Sequence, residues 1–192
     1  MNLFLQFVLL LFFCGNLLAE DYKDKGTGLT FPEEIAGYKI NELEDGSGVV
    51  EKFDDPRLGY AIAYSSPKSE VTIYAFNGGA PSIATGVEDK WVKRYFEQAI
   101  GEIKFYEKEG YYANLKEHDV GAAFKDLTPK IFLGKKLTYT ISIEKPAQDV
   151  KSYVFCCGVN NLVFKVRATG LSESDFEEDL ARLLENFSKQ IK

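Results

Sequence analysis

The chain has little of the chemistry on which most enzymes depend. It holds one histidine, His118, one methionine, one tryptophan and three cysteines among its 192 residues. A histidine-based metal centre would have to complete its ligand set from carboxylates, and neither an HExxH run nor paired Cys/His spacing occurs. A nucleophilic triad meets the same shortage. His118 and Asp119 adjoin, but no GxSxG elbow accompanies them. Within "LKEHDV" the lone imidazole, flanked by charges, reads as a surface residue in a polar turn. Phosphate-cradling loops are missing too: "DGSG" (45–48) lacks the Gly-Lys-Ser/Thr of a P-loop and any helix after it, and reads as a turn. Nothing in the residues asks for a cofactor or a metal.

An excess of positive charge is also absent. The chain carries 23 basic against 29 acidic residues, a net charge of −6, with an isoelectric point near 5.0. Nucleic-acid binding draws its affinity from clustered cations that release counterions, so a nucleic-acid partner is excluded on this reading, and so is docking on anionic lipid. Beyond residue 19 only Cys156 and Cys157 remain, which provides no disulfide framework. Neighbours on a strand point to opposite faces and are badly placed to bond each other. The expectation is one buried thiol and one partly covered thiol.

Charge is missing altogether from the first nineteen residues. The run from Leu3 to Ala19 contains no Asp, Glu, Lys or Arg. As a helix it reaches only about 25 Å, short of the ~30 Å hydrocarbon core. Gly15 and Asn16 interrupt its end and small Ala19 suits a peptidase pocket, the layout of a cleaved signal peptide. A retained membrane anchor and lipid attachment at Cys14 are the alternatives; bulky Phe12 and Phe13 stand where a lipobox wants small residues. The expected organisation is a signal peptide at 1–19, a flexible charged segment "EDYKDKGTGLT" at 20–30, and a single domain at 31–192, exported to the periplasm or beyond the cell. Contact with the membrane would then be transient, through the signal peptide.

Within that domain the patterns alternate between strand and helix. "GYKI" (37–40), "SGVVEKF" (47–53), "GYAIAYS" (59–65) and "EVTIYAF" (70–76) read as strands, the last two joined by a Ser-Pro turn into a hairpin. Thr85 and Glu88 have capping-box spacing ahead of an apolar stripe at Val92, Tyr95, Phe96, Ala99, Ile100, Ile103 and Tyr106, with Gly110 as the stop. Residues 111–127 read as one or two strands. "KKLTYTISI" (135–143), "KSYVFCC" (151–157) and "LVFKVRAT" (162–169) follow as strands, with Lys165 and Arg167 facing water. A final helix is expected from Ser172, with Leu171 stapled on Phe176 and a stripe at Leu180, Leu183, Leu184, Phe187 and Ile191. The fold class this implies is α+β: a largely antiparallel β-sheet packed by two long amphipathic helices.

The segments "FPEEIAGYKI" (31–40), "GYAIAYSSPKSEVTIYAF" (59–76) and "LVFKVRATG" (162–170), in this order of elements, resemble the Mog1/PsbP-like α/β/α sandwiches and bacterial exported proteins of the same layout. The likeness is one of layout over most of the chain and brings no catalytic residues with it. It implies an accessory or binding role.

What the chain does have is tyrosine, eleven in all. A tyrosine offers a flat apolar ring with a polar tip, suited to gripping peptide or sugar. Tyr60, Tyr64 and Tyr74 share one hairpin, and with Tyr111 and Tyr112 at the helix exit they are the candidate rim of a ligand groove; the same rings also serve as cross-strand packing. The leading expectation is an exported, non-catalytic binding or accessory protein whose partner is a protein, peptide or glycan of the cell envelope. The alternatives are an exported hydrolase with paired carboxylates, drawn from Asp54, Asp55, Asp119 and Asp126, and a membrane-anchored protein that keeps its N-terminal segment.

Overall fold

The computed structural model describes residues 21–44, 46–143 and 146–191. The expected signal peptide therefore lies outside the described residues. Among the described residues no helix is long and apolar enough to cross a membrane.

The architecture is α+β: one large antiparallel sheet and two helices. A short ribbon comes first, β1 (Tyr22–Lys23) against β2 (Thr30–Phe31). The strands of the main sheet are β3 (Glu34–Ile35), β4 (Tyr38–Ile40), β5 (Glu51–Lys52), β6 (Tyr60–Ser65), β7 (Ser69–Phe76), β8 (Tyr112–His118), β9 (Leu133–Ile141), β10 (Gln148–Val159) and β11 (Leu162–Leu171). Their spatial order is β3-β4-β6-β7-β11-β10-β9-β8, with β5 pairing on β6. The chain leaves β7, crosses one face of the sheet through α1 (Lys90–Lys108), re-enters at the far edge as β8, and returns strand by strand until β11 pairs with β7. That crossover determines which half of the face α1 covers.

The apolar strand runs place β10 and β11 at the centre, covered on both sides. On one face, Tyr60, Ile62, Tyr64, Val71, Ile73, Tyr153, Phe155, Phe164 and Val166 meet α2 (Glu177–Ser188) through Leu180, Leu183, Leu184 and Phe187, together with Phe124 and Phe132 of the β8–β9 connection. On the other, Val92, Phe96, Ala99, Ile100 and Ile103 of α1 pack on Leu137, Tyr139, Val150, Val154, Cys156 and Val163. Burying each such aliphatic or aromatic side chain contributes roughly 1.5–3 kcal/mol. Cys156 and Cys157 fall on opposite faces and both are fully buried, so the expected partly covered thiol is not there. A central strand has no uncovered side.

Three local expectations are corrected. The segment 20–30 is not a tether from Asp21 onward: β1 pairs with β2, Asp24 accepts from the Thr27 amide and hydroxyl, and Leu29 is buried. The first helix is capped by Asp89, which accepts from Trp91 N at 2.7 Å, and not by the Thr85–Glu88 box. Its stop is as expected, with Gly110 at φ 78°; Tyr111 N donates to Tyr106 O, Gly110 N donates to Glu107 O, and the Tyr106 and Tyr111 rings close over the turn at 5.7 Å. The last helix begins at Glu177, not after Ser172. There β11 runs on to Leu171, which is exposed and staples nothing. The β10–β11 turn is a two-residue one, with Asn160 and Asn161 both at positive φ, 46° and 67°.

Candidate functional site

Because α1 closes on β10, β8 and β11, the same face of the sheet stays open above β6 and β7. Alternation places Ala61, Ala63 and Ser65 of β6 and Thr72, Tyr74 and Phe76 of β7 on that face, in register with Lys165 and Arg167 of β11. Ala63, Thr72, Tyr74, Lys165 and Arg167 all remain partly accessible. The wall is the flank of α1 that carries Tyr95, Gln98, Glu102, Phe105 and Tyr106, one side chain per turn or nearly so. Tyr95 packs edge-on against Phe76 with ring centroids 5.0 Å apart, which fixes the helix to β7. Farther along the helix Gln98, Gly101, Glu102, Phe105 and Tyr106, all on α1, line a separate shallow hollow of about 380 Å³. The candidate groove is the strip above β6 and β7 beside the Tyr95 end of the helix.

Two cations sit in its floor. The Lys165 ammonium lies 4.2 Å from the Tyr74 ring centre and 5.7 Å from that of Phe76. Burial lowers its pKa, and the more distant Glu102 only partly offsets this. Arg167 donates from Nη2 to the Tyr139 hydroxyl at 3.3 Å. Burial works against its charge, and the Tyr139 and Tyr112 hydroxyls outweigh it and hold the guanidinium above its ordinary range. Tyr112 and Tyr139 are themselves in contact, ring centres 4.4 Å apart. The sequence reading that faces Lys165 and Arg167 to water is therefore corrected: both are half-buried on the α1 side of the sheet, Lys165 over the rings of Tyr74 and Phe76 and Arg167 against the Tyr139 hydroxyl. The missed signal is position. A strand flanked on both sides by long apolar strands is central, and its alternating charges then face a covered surface.

Of the five candidate tyrosines, only Tyr74 lies on this strip; Tyr112 is on β8 at the opposite edge of the sheet, packed against Tyr106 and Tyr139. Tyr60 and Tyr64 point the opposite way. Tyr64 is fully buried and donates to Pro32 O at 2.9 Å, and Tyr60 packs on the α2-side core with its hydroxyl enclosed beside Asp24 and Thr27. Burial raises the pKa of both phenols. Tyr111 is exposed at the helix exit, its ring against Tyr106. Sequence placed Tyr60, Tyr64 and Tyr74 on one hairpin, but strand alternation sends 60 and 64 to one face and 74 to the other.

Asp54 is exposed ahead of the turn at 56–58, and Asp119 and Asp126 are both exposed on the β8–β9 connection. Asp55 is taken by Arg57, whose Nε and Nη2 donate to it, and those hydrogen bonds hold its carboxyl down at about 2. His118 is exposed and hydrogen-bonds the Thr138 hydroxyl at 2.9 Å, beside Lys116 and Lys136. Among the described residues no group of three metal-ligating side chains converges.

The site thus belongs to an α+β protein with a helix-walled groove on a half-open sheet. No protein-family model matches the chain, and no curated protein matches it in sequence.

Proposed function

We propose that this protein is an exported, non-catalytic binding or accessory module that takes a protein or peptide of the cell envelope into the groove between α1 and the open half-sheet. On this reading residues 1–19 serve as the export signal, and the layout belongs with the Mog1/PsbP-like sandwiches, whose likeness implies the same accessory role. The observation that carries the reading is the open strip itself. A sheet face lined by Tyr74, Phe76, Thr72 and Ala63 beside an aromatic helix flank offers concave, partly apolar surface with polar tips, the composition that recognition surfaces use. A hydrolase would need two carboxylates facing a common cleft; of the candidates Asp119 alone lines a described hollow, Asp55 is held by Arg57, and Asp54 and Asp126 are exposed on the surface.

Site-specific photo-cross-linking tests it. A benzophenone side chain at Thr72 should cross-link a discrete partner in native envelope material, and the same group at exposed Asp126 should not. Ala63→Trp, which fills the strip without touching the core, should abolish the Thr72 product while circular dichroism stays unchanged. A Thr72 product indifferent to Ala63→Trp would sink the groove reading.

A further inference from the structure

We infer that a hollow on the opposite face of the sheet binds the phosphate of a small phosphate ester, held by Lys116, His118, Lys136 and Thr138. The site is independent of the strip beside α1. On the α2 side the core gathers residues of β6, β7, β10 and β11, and among the described residues β8 contributes none to it. The outer part of that face, over β8 and β9, is left to polar side chains. Pairing sets their places. Lys116 and His118 of β8 stand opposite Thr138 and Lys136 of β9, and these stand opposite Lys151 and Tyr153 of β10. Paired residues share a face, with direct neighbours about 5 Å apart at Cβ and diagonal ones about 7–8 Å. Lys136 is therefore diagonal to both Lys116 and Lys151, and three lysines crowd one small area.

Like charges so placed repel, and the chain answers only the inner ones. Glu177 takes Lys151 at 2.7 Å and the Tyr153 hydroxyl at 2.7 Å, and stands 3.7 Å from Lys136. Lys116 has no ion pair among the described residues. One carboxylate is thus shared by two ammoniums, and the third lines the hollow together with Lys136, His118 and Thr138. The His118 ring and the Thr138 hydroxyl are hydrogen-bonded at 2.9 Å, so both polar tips are held at the same place. The loop 119–121 closes the lining, and Asp119 is its one acid. Donor number selects the occupant. A tetrahedral phosphate takes hydrogen bonds from several directions, and two ammoniums, an imidazole and a hydroxyl supply them. The hollow holds about 360 Å³, within the range of small-molecule sites, which leaves room for the body of an ester. A net charge of −6 over the chain opposes the approach of a polyanion.

The test is titration of the full chain at constant ionic strength, followed by amide chemical shifts, with glucose 6-phosphate, inorganic phosphate and glucose as probes. Glucose 6-phosphate should saturably shift amides at 116–121 and 136–138. Inorganic phosphate should shift the same amides and bind more weakly, and glucose should shift none. Lys116→Gln changes an exposed side chain on the edge strand and should weaken the sugar phosphate at least about tenfold, the worth of one hydrogen bond to a charged group. Lys125→Gln, exposed and outside the lining, should leave it unchanged. No saturable shift, shifts confined to other residues, or full affinity in Lys116→Gln overturns the inference. Glucose binding as tightly as its phosphate overturns the anion, and inorganic phosphate binding as tightly as the sugar phosphate overturns the ester.

Discussion

The hydroxyl of Tyr153 on β10 donates to Glu177 Oε1, in the first turn of α2, at 2.7 Å. The same carboxylate takes Lys151 Nζ at 2.7 Å and stands 3.7 Å from Lys136 Nζ, while Phe176 N donates to its other oxygen. One side chain thereby anchors the helix to the sheet and satisfies one of its opening amides. That anchoring explains why the helix starts at Glu177 and not after Ser172.

Glu177 should carry a signature in acid. Burial alone would raise its pKa; the bonds from Lys151 and Tyr153 outweigh burial and bring it down to about 2. A carboxyl depressed in the folded state stabilises the fold above its unfolded value, near 4.5, and loses that contribution as pH falls toward about 2. Because the group is partly solvated, about 1–2 kcal/mol is expected. Urea unfolding of wild type and Glu177→Gln should differ clearly at pH 7, with Lys151 left unmatched in the variant, and converge as pH drops below 3. A gap that stays constant with pH would contradict the assignment.

The N-terminal ribbon should behave as core. Leu29 is 1% exposed and Phe31 is fully buried, its ring 5.2 Å from that of Phe187 on α2. Leu29→Ala should cost about 2–4 kcal/mol in denaturant unfolding, as buried leucines do. A loss under 0.5 kcal/mol is what a surface or tether position would give.

Two glycines should respond in opposite directions. Gly158 exchanges backbone hydrogen bonds with Gly86 at 2.8 and 3.0 Å, and a Cβ there would stand 2.0 Å from Ala84 O. Gly158→Ala must push the loop ahead of α1 off the sheet, and a loss of about 2–4 kcal/mol is expected. Gly101 is mid-helix with nothing within 4 Å of an added Cβ. Gly101→Ala should raise stability by about 0.5–1 kcal/mol, since alanine has less backbone freedom to lose. Thermal melts of the pair decide both.

The cysteines of β10 should be inert. Burial pushes the Cys156 thiol up to about 12 and Cys157 well above its ordinary value, and thiolate is the reactive form. Peptide mapping after iodoacetamide at pH 8 should find neither labelled in the native protein and both labelled in urea. Native labelling of either would mean that its face of the sheet is open.

Much of the fold was legible because periodicity survives in one dimension. The α1 stripe, the hairpin at 60–76 and the apolar runs of β9 to β11 declared themselves, since each buries a face whose spacing is local. Caps were less legible. Ser172 and Thr85 fit cap patterns as well as Asp89 does, and what separates them is where the sheet leaves room for a first turn. Strand lengths drifted for a like reason: within "SGVVEKF" the strand is Glu51–Lys52, paired on β6.

The candidate site was half visible. Aromatic content drew attention to the hairpin of β6 and β7, of which Tyr74 alone faces the strip beside α1, and the choice between faces for Tyr60 and Tyr64 depends on which face α2 covers. Lys165 and Arg167 read as solvent residues because an alternating strand looks the same at an edge and at a centre.

The sequence by itself determined the alternation along each strand, the apolar stripe of each helix, and a net charge of −6, because all three depend on residue type and local spacing. Only the tertiary structure decided that β11 lies between β7 and β10 and that α1 covers one half of a face and leaves the other open. Those outcomes depend on contacts between residues far apart in the chain. They convert two basic side chains of an ordinary strand into the floor of a groove.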